Sequence, residues 1–173
     1  MKPGKETEAG KTPNDAGAGR SVLVIPNDEF FAQVCESLSE GRKVSFVVKG
    51  HSMYPFMRNE KDRVCLERYD GRNLDAGDVI LFKYHGRHIL HRVYDIARTP
   101  EGTPVYRTRG DGNVRGNEYA VPSAIFGVMS GRISPSGREW NCASLSWRLY
   151  SKVWMRLFPV RRWCLAVLRR IYR

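Results

Sequence analysis

A chain of 173 residues, 42% hydrophobic and 27% charged, is long enough for one globular domain whose core needs no disulfide or metal. The formal net charge is +11, but residues 145–173 hold eight basic residues and no acid, and subtracting those eight leaves +3 for residues 1–144. The four cysteines (Cys35, Cys65, Cys142, Cys164) form no Cys-x-x-Cys and no Cys–His cluster with zinc-ligand spacing, so free buried thiols are expected rather than a metal centre.

Residues 1–20 are dominated by Lys, Gly, Glu, Thr, Asn and Ala, with no apolar h-region, and are expected to be a disordered tail. A short β-branched run at 21–25 is stopped by Pro26. Asn27 or Asp28 is suited to cap a helix running to about Glu40, with Phe30, Phe31, Val34, Cys35 and Leu38 on one face and Gly41 closing it. Beyond Gly41 the period becomes strand-like. Strands are expected at 43–49, at 62–67, at 78–84 and 88–97 as a hairpin about Gly86, at 105–109 and at 124–133. Turn chemistry at Asp70-Gly71, Gly110-Asp111-Gly112 and Ser136-Gly137 separates them. The fold class read from this pattern is mainly β, an antiparallel domain over residues 21–143 with one N-terminal helix.

Residues 144–173 return to helical spacing. Arg148, Lys152 and Arg156 make a basic stripe, Val153, Trp154, Leu157 and Phe158 lie on the other side, and Pro159 ends or kinks the helix. A second amphipathic stretch offers Trp163, Val167, Leu168 and Ile171 between arginines. Basic helices carrying Trp147, Trp154 and Trp163 suit an anionic membrane surface; packing on the β domain is the next reading, and nucleic acid is the least favoured partner. The longest stretch free of charged side chains, 119–131, is thirteen residues with one Pro and two Gly, short of the about 20 apolar residues a spanning helix requires. The expectation is therefore a peripheral membrane protein, on the cytoplasmic face by default.

Three features in chain order carry chemistry. Gly50-His51-Ser52-Met53-Tyr54-Pro55 follows a strand, so Ser52 can project its hydroxyl from a corner while the Ser52 and Met53 amides face an oxyanion. His91 lies in an apolar strand, Ile89-Leu90-His91-Arg92-Val93, where a neutral imidazole can take a hydroxyl proton. Asp111, flanked by glycines in Arg109-Gly110-Asp111-Gly112-Asn113, can orient the other ring nitrogen. Each alone reads as a turn serine, a core histidine and a turn-capping aspartate. His88 and His91 are three apart, which on a strand sends them to opposite faces and argues against a metal site.

Together, Gly50–Pro55, the strand of residues 77–82, His91-Arg92-Val93, Gly110–Asn113 and Ile125-Phe126-Gly127-Val128 resemble type I signal peptidases and the related self-cleaving repressor proteases. The resemblance spans residues 48–127. His91 stands where the usual bacterial enzymes carry Lys, as in the endoplasmic-reticulum and archaeal branch. It implies Ser52 as nucleophile, His91 as general base, Asp111 as the orienting acid, and Ser52 and Met53 amides at the oxyanion. Gly50, Pro55, Asp78 and Asn113 are then supporting residues, and shallow substrate pockets are expected around residues 46–49. The His branch often has a second acid beyond the Gly-Asp-x-Asn loop; after Arg115-Gly116-Asn117, only Glu118 is available here. The function implied is limited, site-specific cleavage of a peptide or precursor-protein substrate with no cofactor and no metal. The alternative is an inactive peptidase fold serving as an interaction or regulatory module.

Overall fold

The computed structural model describes residues 27–171; the expected tail and the 21–25 run lie outside them. The protein is mainly β. Helix α1 (Asn27–Ser39) is followed by β1 (Val44–Val47), β2 (Arg63–Arg68), β3 (Val79–Tyr84), β4 (Arg87–Arg98), β5 (Pro104–Arg109), β6 (Glu118–Ala120), β7 (Ile125–Ile133) and β8 (Glu139–Asn141). Helices α2 (Leu145–Arg156) and α3 (Arg161–Ile171) close the described chain, joined by a 3-10 turn at Phe158–Val160. That turn contains Pro159, whose missing N–H and fixed φ stop α2.

The strands form one antiparallel sheet in the order β1-β2-β7-β3-β4-β5-β6, with β8 added on β7. Bulges between Cys65 and Leu66, Leu81 and Phe82, and Val93 and Asp95 add twist. The sheet curls until β6 meets β3 across its concave side. Alternation then gives each face its own core. Ile80, Phe82, Val93, Tyr106, Ala120 and Val128 fill the concave side. Val79, Leu81, Val64, Leu66 and Met129 face α1, α2 and α3 on the other.

Helices α2 and α3 share this second core. Trp147 and Trp154 of α2 and Leu165 of α3 are buried with Phe56, Met57 and Val79. Ser144 caps α2 by accepting from the Trp147 amide. The expectation of a lipid-facing Trp147 and Trp154 is corrected: residues 147, 151 and 154 form one face of α2, which turns inward to bury both indoles in the core, where Ser151 also meets Arg92. Trp163 stays 63% exposed. None of the described helices is long and apolar enough to cross a membrane. The four cysteines are free and half-buried.

The long loop between β1 and β2 is closed by Asp62, whose side chain is fully buried. Its carboxylate accepts from the Arg58 amide (2.8 Å) and from Arg58 Nη2 (2.9 Å), while its carbonyl accepts from the Val48 amide (3.0 Å). Burial alone would push this carboxyl up, but the Arg58 hydrogen bonds and the charges of Arg132 and Arg58 outweigh it and hold it below its ordinary value. A carboxyl depressed in the folded state stabilises fully above its unfolded pKa and loses that contribution as the pH falls through the folded value. Asp62→Asn should therefore cost on the order of 2 kcal/mol at pH 7. In urea unfolding, the gap from wild type should shrink as the pH is taken below about 4; a gap indifferent to pH would remove Asp62 from this role.

Candidate active site

The loop that carries Ser52 is built from below. Gly50 has φ +98°, the left-handed region that favours glycine, and its amide donates to Asn59 Oδ1 at 2.7 Å. The Tyr54–Pro55 peptide is cis. Met53, Phe56 and Met57 are buried beneath, with the Phe56 ring edge-on to Trp147 and Trp154. The pinned loop leaves Ser52 half-buried. The Ser52 carbonyl accepts from the Gly112 amide at 2.7 Å. Among the described residues the Ser52 hydroxyl has no hydrogen-bond partner, and neither the Ser52 nor the Met53 amide is spent on another acceptor.

His91 sits in mid-β4, opposite Ile80 of β3, with only 7% of its side chain exposed. Its Nδ1 lies 2.9 Å from Glu118 Oε2. The sheet register explains the meeting. Val93 pairs with Thr108 and Thr108 with Glu118, so Glu118 shares a face with Val93 and hence with His91, two residues back. A carboxylate only accepts, so Nδ1–H donates to Glu118 and Nε2 is left to accept. That Nε2 faces the Ser52 loop. A methyl group placed on Gly110 would lie 2.8 Å from His91 Nε2 and 2.4 Å from the Ser52 carbonyl oxygen. Imidazole, serine loop and Gly110 thus converge so closely that no methyl group fits between them. The neighbouring Gly112 is as tight, since a Cβ there would meet the His51 carbonyl at 2.2 Å.

Asp111 does not orient His91, and this corrects the expectation. Its carboxylate is fully buried on the guanidinium of Arg92, which donates Nε–H to Oδ1 (3.0 Å) and Nη2–H to Oδ2 (2.8 Å). Arg92 follows His91 on an alternating strand, so the two side chains leave on opposite faces, and the loop sends Asp111 with Arg92. Arg92 Nη1 completes its bonds on the Gly77 carbonyl (2.7 Å) and Ser151 Oγ (2.8 Å) of α2. Its guanidinium carbon stacks 4.3 Å from the Phe56 ring centroid. Trp154 Nε1 donates to the Asp111 carbonyl. Asp111 therefore positions the loop that abuts Ser52 and His91, and Glu118 takes the carboxylate position beside the imidazole.

The supporting residues have separate places. Asp78 Oδ2 accepts from the Asp75 amide, and its carbonyl accepts from Val93, so it sets the turn into β3. Asn113 closes the site loop, its amide donating to the Gly110 carbonyl. His88 is remote from this cluster, stacked 5.1 Å from Phe31, and burial with the charge of Lys83 pushes its imidazole below the ordinary value against Asp28. No group of three or more His, Cys, Asp or Glu suited to hold a metal ion occurs among the described residues. Phe46 of β1, where substrate pockets are expected, is covered by Phe30 and Phe31 of α1. Sequence reasoning left Arg92 without a role, although the alternation about His91 signals it; Glu118 was named only as the acid available beyond the loop, and the pairing of β5 with β6 places it on His91.

Asp111→Asn strands the Arg92 charge in the interior and should lower unfolding stability by about 3–5 kcal/mol, read by denaturant titration. Gly110→Ala should keep the fold but displace the loop, because the added methyl meets the Ser52 backbone carbonyl as well as the His91 and Asn113 side chains. Unchanged chemical shifts at Ser52 and His91 in that variant would contradict the close approach. Compared with known proteins, the chain matches no family model, and no curated protein matches it.

Proposed function

We propose that this protein is a serine endopeptidase making limited, site-specific cleavages in a peptide or precursor-protein substrate, with Ser52 as nucleophile, His91 as general base and Glu118 as the carboxylate that orients it. The observation that carries this reading is the convergence of His91 Nε2 and the Ser52 loop on Gly110, with Nδ1 bonded to Glu118 behind. The resemblance of the Ser52, His91 and Asp111 motifs to His-type signal peptidases points the same way.

The chemistry follows from these roles. Ser52 Oγ attacks the scissile carbonyl carbon while His91 Nε2 takes the hydroxyl proton. The Ser52 and Met53 amides, unspent on other acceptors among the described residues, donate to the developing oxyanion. The imidazolium, stabilised by Glu118, then gives its proton to the leaving amine nitrogen, and the C–N bond breaks. Water, deprotonated by His91, attacks the acyl-serine ester, and release of the acid returns the proton to Ser52 Oγ. The edge strand β1, which leads into the Ser52 loop and pairs only with β2 among the described residues, offers an extended peptide a backbone to pair with.

An acylating serine probe tests this reading. Wild type should be labelled and Ser52→Ala and His91→Ala should not. Glu118→Gln replaces an acceptor by a group able to donate to Nδ1, favours the wrong tautomer, and should slow labelling by about 10³- to 10⁴-fold without loss of stability. A folded wild type that takes no label overturns the enzyme reading in favour of an interaction module.

A further inference from the structure

Helices α2 and α3 bury one face each and leave a second apolar stripe uncovered. On α2, Leu149 and Val153 lie one turn apart and are 62% and 47% exposed. On α3, Trp163, Val167 and Ile171 repeat at four-residue spacing and are 63%, 59% and 67% exposed. Spacing of four keeps each set on one side of its helix. Such contiguous exposed apolar groups mark a docking surface rather than ordinary scatter.

The charges beside the stripe say what covers it. Arg148, Lys152, Arg156, Arg162, Arg169 and Arg170 are all exposed, and no acidic residue occurs in residues 145–173. Arg161, by contrast, is turned inward, donating to the Tyr94 hydroxyl and the Trp154 carbonyl. A second copy of the chain seated on this face would bring these like charges together without a countercharge from the same helices. A nucleic acid would satisfy the arginines but gain nothing from Val153, Val167 and Ile171. An anionic bilayer satisfies both, with apolar side chains in the acyl boundary, Trp163 at the interface and guanidiniums on phosphates.

We propose that the outward faces of α2 and α3 dock this protein on anionic lipid surfaces. The docking helices are joined to the candidate site: Phe158, in the turn between them, stacks 3.9 Å from the Arg109 guanidinium, and Arg109 directly precedes Gly110. The Ser52 loop, which Gly110 abuts, is thereby held near the lipid surface. The surface of contact differs from the one the tryptophans suggest in sequence, since Trp147 and Trp154 are buried and only Trp163 of these three is free to insert.

The test is sedimentation of the full chain with vesicles of phosphatidylcholine alone or mixed with phosphatidylglycerol, alongside Trp fluorescence. Wild type should bind the mixed vesicles only, weaken with added salt and show a blue shift that Trp163→Phe removes. R169E/R170E should raise the lipid needed for half-maximal binding by at least about tenfold. W163D/V167D should abolish binding while Ser52 labelling without lipid stays at the wild-type rate. Ser52→Ala should bind as wild type does, so a failed peptidase assay and a failed docking assay are separate results. Absence of binding to mixed vesicles, binding that survives W163D/V167D, concentration-dependent dimerisation that buries Trp163, or tighter capture by duplex DNA than by vesicles would each overturn the proposal.

Discussion

Arg92 and Asp111 are both charged and neither touches water. A charge in that position is tolerated only when every donor and acceptor around it is matched, because an unpaired buried ion costs several kcal/mol. The guanidinium meets this demand by reaching in several directions at once: to the Asp111 loop, to the Gly77 carbonyl before β3, to Ser151 on α2, and across the face of Phe56 beneath Ser52. None of these partners can drift without exposing the pair to a poorer environment. The approach of the Ser52 loop to His91 is in this sense a by-product of keeping one arginine neutralised, and the planar fork of Arg is what allows it.

The two carboxylates near His91 are consequently distinguished by their surroundings. Asp111, its side chain fully buried on Arg92 and its carbonyl held by Trp154, is a structural anion turned away from the imidazole. Glu118, with 20% of its side chain exposed, bonds the imidazole Nδ1 instead of a buried arginine. Adjacent residues of one strand, His91 and Arg92, thus give each acid its task by pointing to opposite faces of the sheet.

Much of the architecture was legible from periodicity. The alternating runs that became β2, β3, β4, β5 and β7, the apolar face of α1 and the stop at Pro159 are local signals, read without knowing what packs on what. Glu118 was not legible as His91's partner because β6 is three residues long and its relation to His91 passes through β5; only register supplies it. Asp111 was misread for a related reason. A glycine-flanked aspartate looks like an exposed turn, and nothing within residues 109–113 states that Arg92 lies beneath. The C-terminal tryptophans were ambiguous because each helix carries two apolar stripes, and the core that covers the inward one is built from distant residues such as Arg92, the partner of Ser151, 59 positions earlier.

That separation bears on how the molecule is made. A chain growing from its N-terminus presents Ser52, His91, Arg92 and Glu118 well before Ser151 and Trp154 exist. Until α2 is released and folds back, the Arg92 Nη1 bond to Ser151 and the Trp154 bond to the Asp111 carbonyl are missing, and the loop against Ser52 lacks two of its braces. The nascent chain therefore holds the candidate-site residues in an unfinished arrangement, and their final placement waits on the synthesis of α2, which supplies two side chains that brace them.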